Sequence, residues 1–168
     1  MAERVEVRGL RELQDALKKL PKKLERRVLN SALSAGARIM VKDAKNRAPV
    51  LKDLLNPNRR PGTLKKNIRA RPIKPYEHTA SVIVGVRKLS SKAITAFKKS
   101  QSGKKGGSQN PNDPFYWRFV EFGTSKMQAR PFLRPAFEAK KFEAATTIKQ
   151  KLKVRIELEA EKLNRVKI

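Results

Sequence analysis

Acid–base chemistry needs a positioned histidine or a pair of carboxylates. The sequence offers His78, its only histidine, with Glu77 beside it and Glu121 far along the chain. His78 follows Pro75 in the stretch PYEH, which has the composition of a turn, so its imidazole is expected at the surface rather than held as a base. Glu77 and Glu121 are too distant in sequence to be taken as a pair. Cysteine is absent and the carboxylates are scattered, which removes thiolate and disulfide chemistry and leaves no metal-ligand spacing. The glycines of SGKKGGSQN lack the strand before and the helix after that a phosphate-cradling loop requires. These residue types predict a protein that is not an enzyme and takes no cofactor.

Anion binding has better support. Lysine and arginine number 41 against 15 acidic residues, for a net charge of +26 in 168 residues. Half of that excess, +13, falls between residues 51 and 110. Such a chain binds phosphates through counterion release whatever its purpose, and equally suits acidic protein surfaces. Arg59, Arg60, Lys98, Lys99, Lys104 and Lys105 are the candidate contacts to DNA or to an acidic partner. Zinc-finger spacing, an aromatic RNA-binding signature and a basic zipper are all missing, so a non-specific nucleic-acid-binding protein stands as the alternative function. Tyr116, Trp117 and Phe119 could stack on bases, but a dense aromatic cluster beside strong helices has the character of core.

The elements that must carry these residues follow from periodicity. Leu10, Leu13, Leu17 and Leu20 predict a short amphipathic helix, interrupted or kinked at Pro21. A second helix is predicted from Lys22 to Arg47, with Leu24, Val28, Ala32, Ala35, Ile39 and Met40 on one face and small residues at Ala35, Gly36 and Ala37 that admit another backbone. It is basic, but its apolar face has no aromatic anchors, so core packing is expected rather than a membrane surface. Residues 50–63 are expected to form a loop, 64–74 to be extended, and Thr79–Arg87 to form a strand that pairs across PYEH with Val82, Val84 and Val86 on one face. Between Lys88 and Asp113 the composition is too polar to offset ordering entropy, which predicts a flexible basic insertion, with SKAITAF able to make a helical turn. No run of about 18 uncharged apolar residues occurs. The N-terminal MAERVEVRGL lacks an apolar signal region, so assembly in the cytoplasm is expected.

The most distinctive stretch is FVEFGTSKMQARPFLRPAFE, Phe119 to Glu138. FYWRFVEFG fits either a strand or a short helix, the short helix ended by Gly123 being favoured; an extended passage held by Pro131 is expected next, then a long helix from about Arg134 to Leu163 with Pro135 in its first turn. Phe142, Ala145, Ile148, Leu152, Ile156 and Leu163 would form its inner face. Phe119, Phe122, Phe132 and Phe137 are expected to seat this corner on the core or on a neighbouring subunit, the core being favoured. Glu121, an acid among cations, is expected to pair with Arg130 or Arg134, either within the subunit or on a neighbouring one.

The order of motifs carries a resemblance. The pattern G-L-x-E-L-x-x-x-L-x-x-L at Gly9–Leu20, AKNRAPV at Ala44–Val50, G-x-L-x-x-x-I at Gly62–Ile68, VEFGT, and RPFLRPAFE together resemble the gene-product-ten-like tail-component family of HK-type lambdoid bacteriophages, over about residues 8 to 150. The resemblance implies an α+β fold in a single domain, 1–168, with a long N-terminal helix on a small antiparallel sheet and a long C-terminal helix. It also implies a non-enzymatic virion protein of the neck and upper tail: a minor tail, tail-completion or head–tail joining component in a ring around the DNA channel, six-fold to match the tail. Its partners would be further copies of itself, the head–tail connector, tail terminator or tail tube proteins, and DNA in the channel, with no membrane. Phe119, Glu121, Phe122, Gly123, Thr124, Arg130, Pro131, Phe132, Arg134 and Pro135 are the implied interface or structural motif.

Overall fold

The computed structural model describes residues 10–18, 20–51, 59–73, 80–101 and 110–166. In chain order the elements are α1 (Leu10–Lys18), α2 (Lys22–Arg47), α3 (Thr63–Asn67), β1 (Ile68–Pro72), β2 (Val82–Val86), α4 (Ser91–Ser100), α5 (Trp117–Phe122) and α6 (Leu133–Val166). The fold is therefore α+β, with a long helix early in the chain, a two-stranded antiparallel sheet and a long C-terminal helix. PYEH with His78 and Glu77, the GKKGGSQ stretch with Lys104 and Lys105, and residues 52–58 lie outside the described residues.

Two compact units divide the chain. In the first, formed within Met1–Met40, Ala70–Val84 and Glu138–Ile168, the leucine spacing of α1 and the small residues of α2 meet the apolar face of α6. Pro21 separates the helices because it cannot continue the first, while its carbonyl accepts from Leu24 and Glu25 N–H and so opens the second. Leu17, Leu20, Val28, Ala32, Leu152 and Ile156 form the buried cluster. The reason for Gly36 is contact: a Cβ there would lie 2.6 Å from Ile148 Cγ1 and 2.9 Å from the Ala144 carbonyl oxygen. The inner face of α6 is set by Ala144, Ile148, Leu152 and Ile156; Phe142 points outward, half-exposed, which corrects the expected face.

The second unit, within Val41–Arg69 and Gly85–Phe137, is built on Ala44, Ala48, Leu64, Ile68, Phe132 and Ala136. Here the last turns of α2 pack in one cluster with Ile68 of β1 and the partly buried Val86 of β2, so the long helix meets the sheet at its Ile68–Val86 end. Ile73 N–H donates to Ser81 O and Arg87 N–H to Asn67 O, each within 2.9 Å, which brackets the ladder and gives it an antiparallel register. Val82, Val84 and Val86 are half-buried and Ile83 is exposed, the alternation the valines predict.

Two expectations change. Residues 64–67 are helical, not extended, because Thr63 Oγ1 donates to Arg60 O and Pro111 O and Lys66 N–H donates to Gly62 O, closing a turn around the buried Leu64. The helical turn foreseen at SKAITAF is a full ten-residue helix, α4, since Ser90 Oγ accepts from Ala93 N–H at 3.2 Å and caps its start. No residue of α4 is buried.

Candidate functional site

The second unit holds nearly all of the motif. Trp117 and Val120 of α5 turn inward to the cluster, and Tyr116 packs with them. Gly123 ends the helix with φ 76° and ψ −178°, a backbone state open to glycine almost alone, while its N–H donates to Phe119 O. A Cβ at Gly123 would also meet Ala129 N and Met127 O at 3.0 Å. Beyond it, Thr124 and Met127 exchange both backbone hydrogen bonds in a tight reversal, and Arg130 N–H returns to Val120 O at 2.8 Å. Pro131 then leads into α6, and the whole corner closes within fifteen residues of chain.

Glu121 is the centre of that corner. Its carboxylate is buried and accepts three backbone hydrogen bonds: Phe132 N–H to Oε2 at 2.8 Å, Leu133 N–H to Oε2 at 3.0 Å and Arg134 N–H to Oε1 at 3.0 Å. A helix leaves its first N–H groups without intrahelical partners and its N-terminus partly positive, so an anion is favoured there. Leu133 and Arg134 are the first two residues of α6, and Pro135, the third, has no N–H to satisfy. Glu121 and Pro135 thus complete the first turn together. Within the chain this corrects the expected ion pair: Glu121 binds the backbone of Arg134, and the Arg130 and Arg134 side chains are exposed.

The four phenylalanines separate sharply. Phe132 is 0% exposed and central to the cluster, whereas Phe119, Phe122 and Phe137 are 49%, 64% and 51% exposed. Core seating therefore holds for Phe132 alone. Phe119 and Phe122 lie three apart on α5 and share a face. Their exposure leaves large apolar rings in water, in a stretch of chain where Arg118, Arg130 and Arg134 are exposed as well.

Next to this corner runs a largely apolar groove of about 560 Å³. Pro49, Val50, Leu51, Leu64, Val120 and Met127 line it, and Arg59, Gln128 and Arg130 supply its polar edge, with no acid among the described residues. Arg59, a candidate contact to DNA or an acidic partner, lies over the Phe115 and Tyr116 rings at 4.8 and 5.6 Å from their centroids. Arg60 is exposed and reaches Asn112 Oδ1 at 3.5 Å. Both arginines therefore belong to a latch between residues 59–63 and 110–116, whose other members are Thr63 on Pro111 O and the Asn110 side chain on Asn112 N–H. Burial pushes the Asp113 carboxyl above its ordinary value of 3.8, against its bond from Phe115 N–H and the charges of Arg59 and Lys88. The Tyr116 phenol is raised by burial as well, with Arg59 opposing. Sequence reasoning missed this latch, although the turn signal NPNDP marks it. Lys98 and Lys99 are exposed in the last turn of α4, where cations also suit the helix dipole.

Nothing in this arrangement gathers catalytic groups, and among the described residues no cluster of three or more His, Cys, Asp or Glu could hold a metal ion. No helix among them is long and apolar enough to cross a membrane. Residues 11–123 match the model of the family described as "Bacteriophage HK97-gp10, putative tail-component". The chain belongs to that family. The match spans α1 to α5 and ends at Gly123, so Arg130–Ala136 and α6 lie beyond it. No curated protein and no solved structure matches the chain. As a tail component it is a structural protein of the virion, with other phage tail and head proteins as its neighbours.

Proposed function

We propose that this tail component is a neck or tail-completion protein whose copies form a ring, six-fold to match the tail, at the head–tail junction around the DNA channel. The observation that carries the reading is the exposure of Phe119, Phe122 and Phe137 around a corner that Glu121 holds rigid. Rings of this size left in water on a fixed scaffold mark a protein–protein contact. A ring component must present unlike patches to its two neighbours, and closure then hides both. Connector, tail terminator or tail tube proteins would meet the faces above and below.

The charge supports a second contact within the same assembly. A +26 chain cannot sit beside a DNA channel without attracting phosphate, and Arg60, Lys98 and Lys99 are exposed for such contact or for docking on acidic rings. A phage lacking this chain tests the reading. Filled heads and finished tails should then accumulate unjoined, and infectious particles assembled without it would reject the neck assignment.

A further inference from the structure

We infer that the apolar groove beside Arg130 receives the outer face of α6 from a second copy of this chain. The inference rests on the ring reading above and adds which surfaces meet. The groove is lined by Val50, Leu51 and Met127, all left substantially exposed, and among the described residues its charged lining is basic, from Arg59 and Arg130. Its occupant should therefore bring apolar side chains and carboxylates on one face.

The chain carries such a face, although acids are scarce in it. On α6, Val154, Glu157, Leu158 and Glu161 fall at i, i+3, i+4 and i+7, and all four are exposed. They lie on the side of the helix opposite Leu152 and Ile156, which are buried in their own core. Packing within the subunit therefore leaves the stripe unused. Neither Glu157 nor Glu161 has an ion-pair partner among the described residues. Val154 and Leu158 are the right kind of side chain to fill the groove, and Glu157 or Glu161 would lie against Arg130.

A contact between two unlike surfaces is heterologous, the kind that builds a ring when its rotation closes. Positive edge against acidic stripe also fixes orientation, because the reversed docking would set the groove arginines against the lysines and arginines that make up most of the surface charge.

The absence of cysteine makes the test clean. Val50→Cys and Leu158→Cys chains, produced together and assembled into particles, should give a reducible covalent dimer on mild oxidation, while particles carrying either variant alone should not. Both positions are exposed, so neither change threatens the core. In parallel, Arg130→Glu should lower incorporation into particles on the order of tenfold, and Glu157→Lys in the same chain should recover most of it. A missing dimer in particles that carry both cysteine variants overturns the inference. If those particles still show a ring at the junction, the ring reading survives and only this choice of surfaces fails; if they show none, both fail.

Discussion

The carboxylate of Glu121 accepts a hydrogen bond of 2.8 Å from the backbone N–H of Phe132, joining a short helix to the start of one that runs 34 residues. One side chain thereby ties α5 to the residues at which the C-terminal helix begins. Substitution by Gln keeps one acceptor oxygen but turns an N–H₂ toward a backbone donor. Urea unfolding of Glu121→Gln should show a loss of about 1–3 kcal/mol, and Glu121→Ala a larger one. An unchanged midpoint for both would mean that the three bonds do not anchor α6.

Gly123 should be equally intolerant. Alanine there must adopt φ 76° and place its Cβ against the backbone at Ala129 and Met127. A cost of about 1–3 kcal/mol is expected from the backbone state alone. Thermal unfolding of Gly123→Ala reads it directly, and a neutral result would require that the corner relax to another conformation.

The sequence announced this corner but not its wiring. Gly123, Pro131 and Pro135 are legible because each acts through its own backbone, and α2 is legible because its apolar residues repeat at helical spacing over 26 residues. The partners of Glu121 are backbone groups eleven to thirteen residues away, which no side-chain pattern encodes. An acid near arginines suggests a salt bridge, and here the competing attraction of a helix N-terminus wins. Phe142 was misplaced for a related reason: aromatic type suggests burial, but the rotation of α6 is decided by the close approach of Ala144 and Ile148 to Gly36.

The phenylalanines of the motif should divide in the same way as their exposure. Phe132→Ala removes a wholly buried ring and should cost about 3–5 kcal/mol. Phe119→Ala and Phe122→Ala should leave stability within about 0.5 kcal/mol while reducing incorporation into particles. Chemical denaturation together with quantitation of the chain in purified particles separates the two effects. Normal incorporation of a Phe119→Ala, Phe122→Ala double variant would remove these rings from the interface.

Asp113 predicts a pH dependence of defined sign. Its pKa is raised in the folded state by burial, so the folded protein holds this proton more tightly than the unfolded chain. Its contribution is most favourable below the unfolded value near 3.8 and is lost as pH rises through the raised folded value. Asp113→Asn, which keeps an acceptor for Phe115 N–H, should therefore be at least as stable as the parent at neutral pH. The difference in melting temperature should shrink as pH falls below that window. A gap that widens on acidification would show that the charges of Arg59 and Lys88 outweigh burial.

Imaging of intact particles tests the central claim most directly. A reconstruction of the region between head and tail should show copies of this chain as a closed ring around the DNA channel, with the Glu121 corner of each copy facing a neighbouring protein rather than solvent. Density for the chain elsewhere in the particle, or single copies without ring contacts at the junction, would contradict the account.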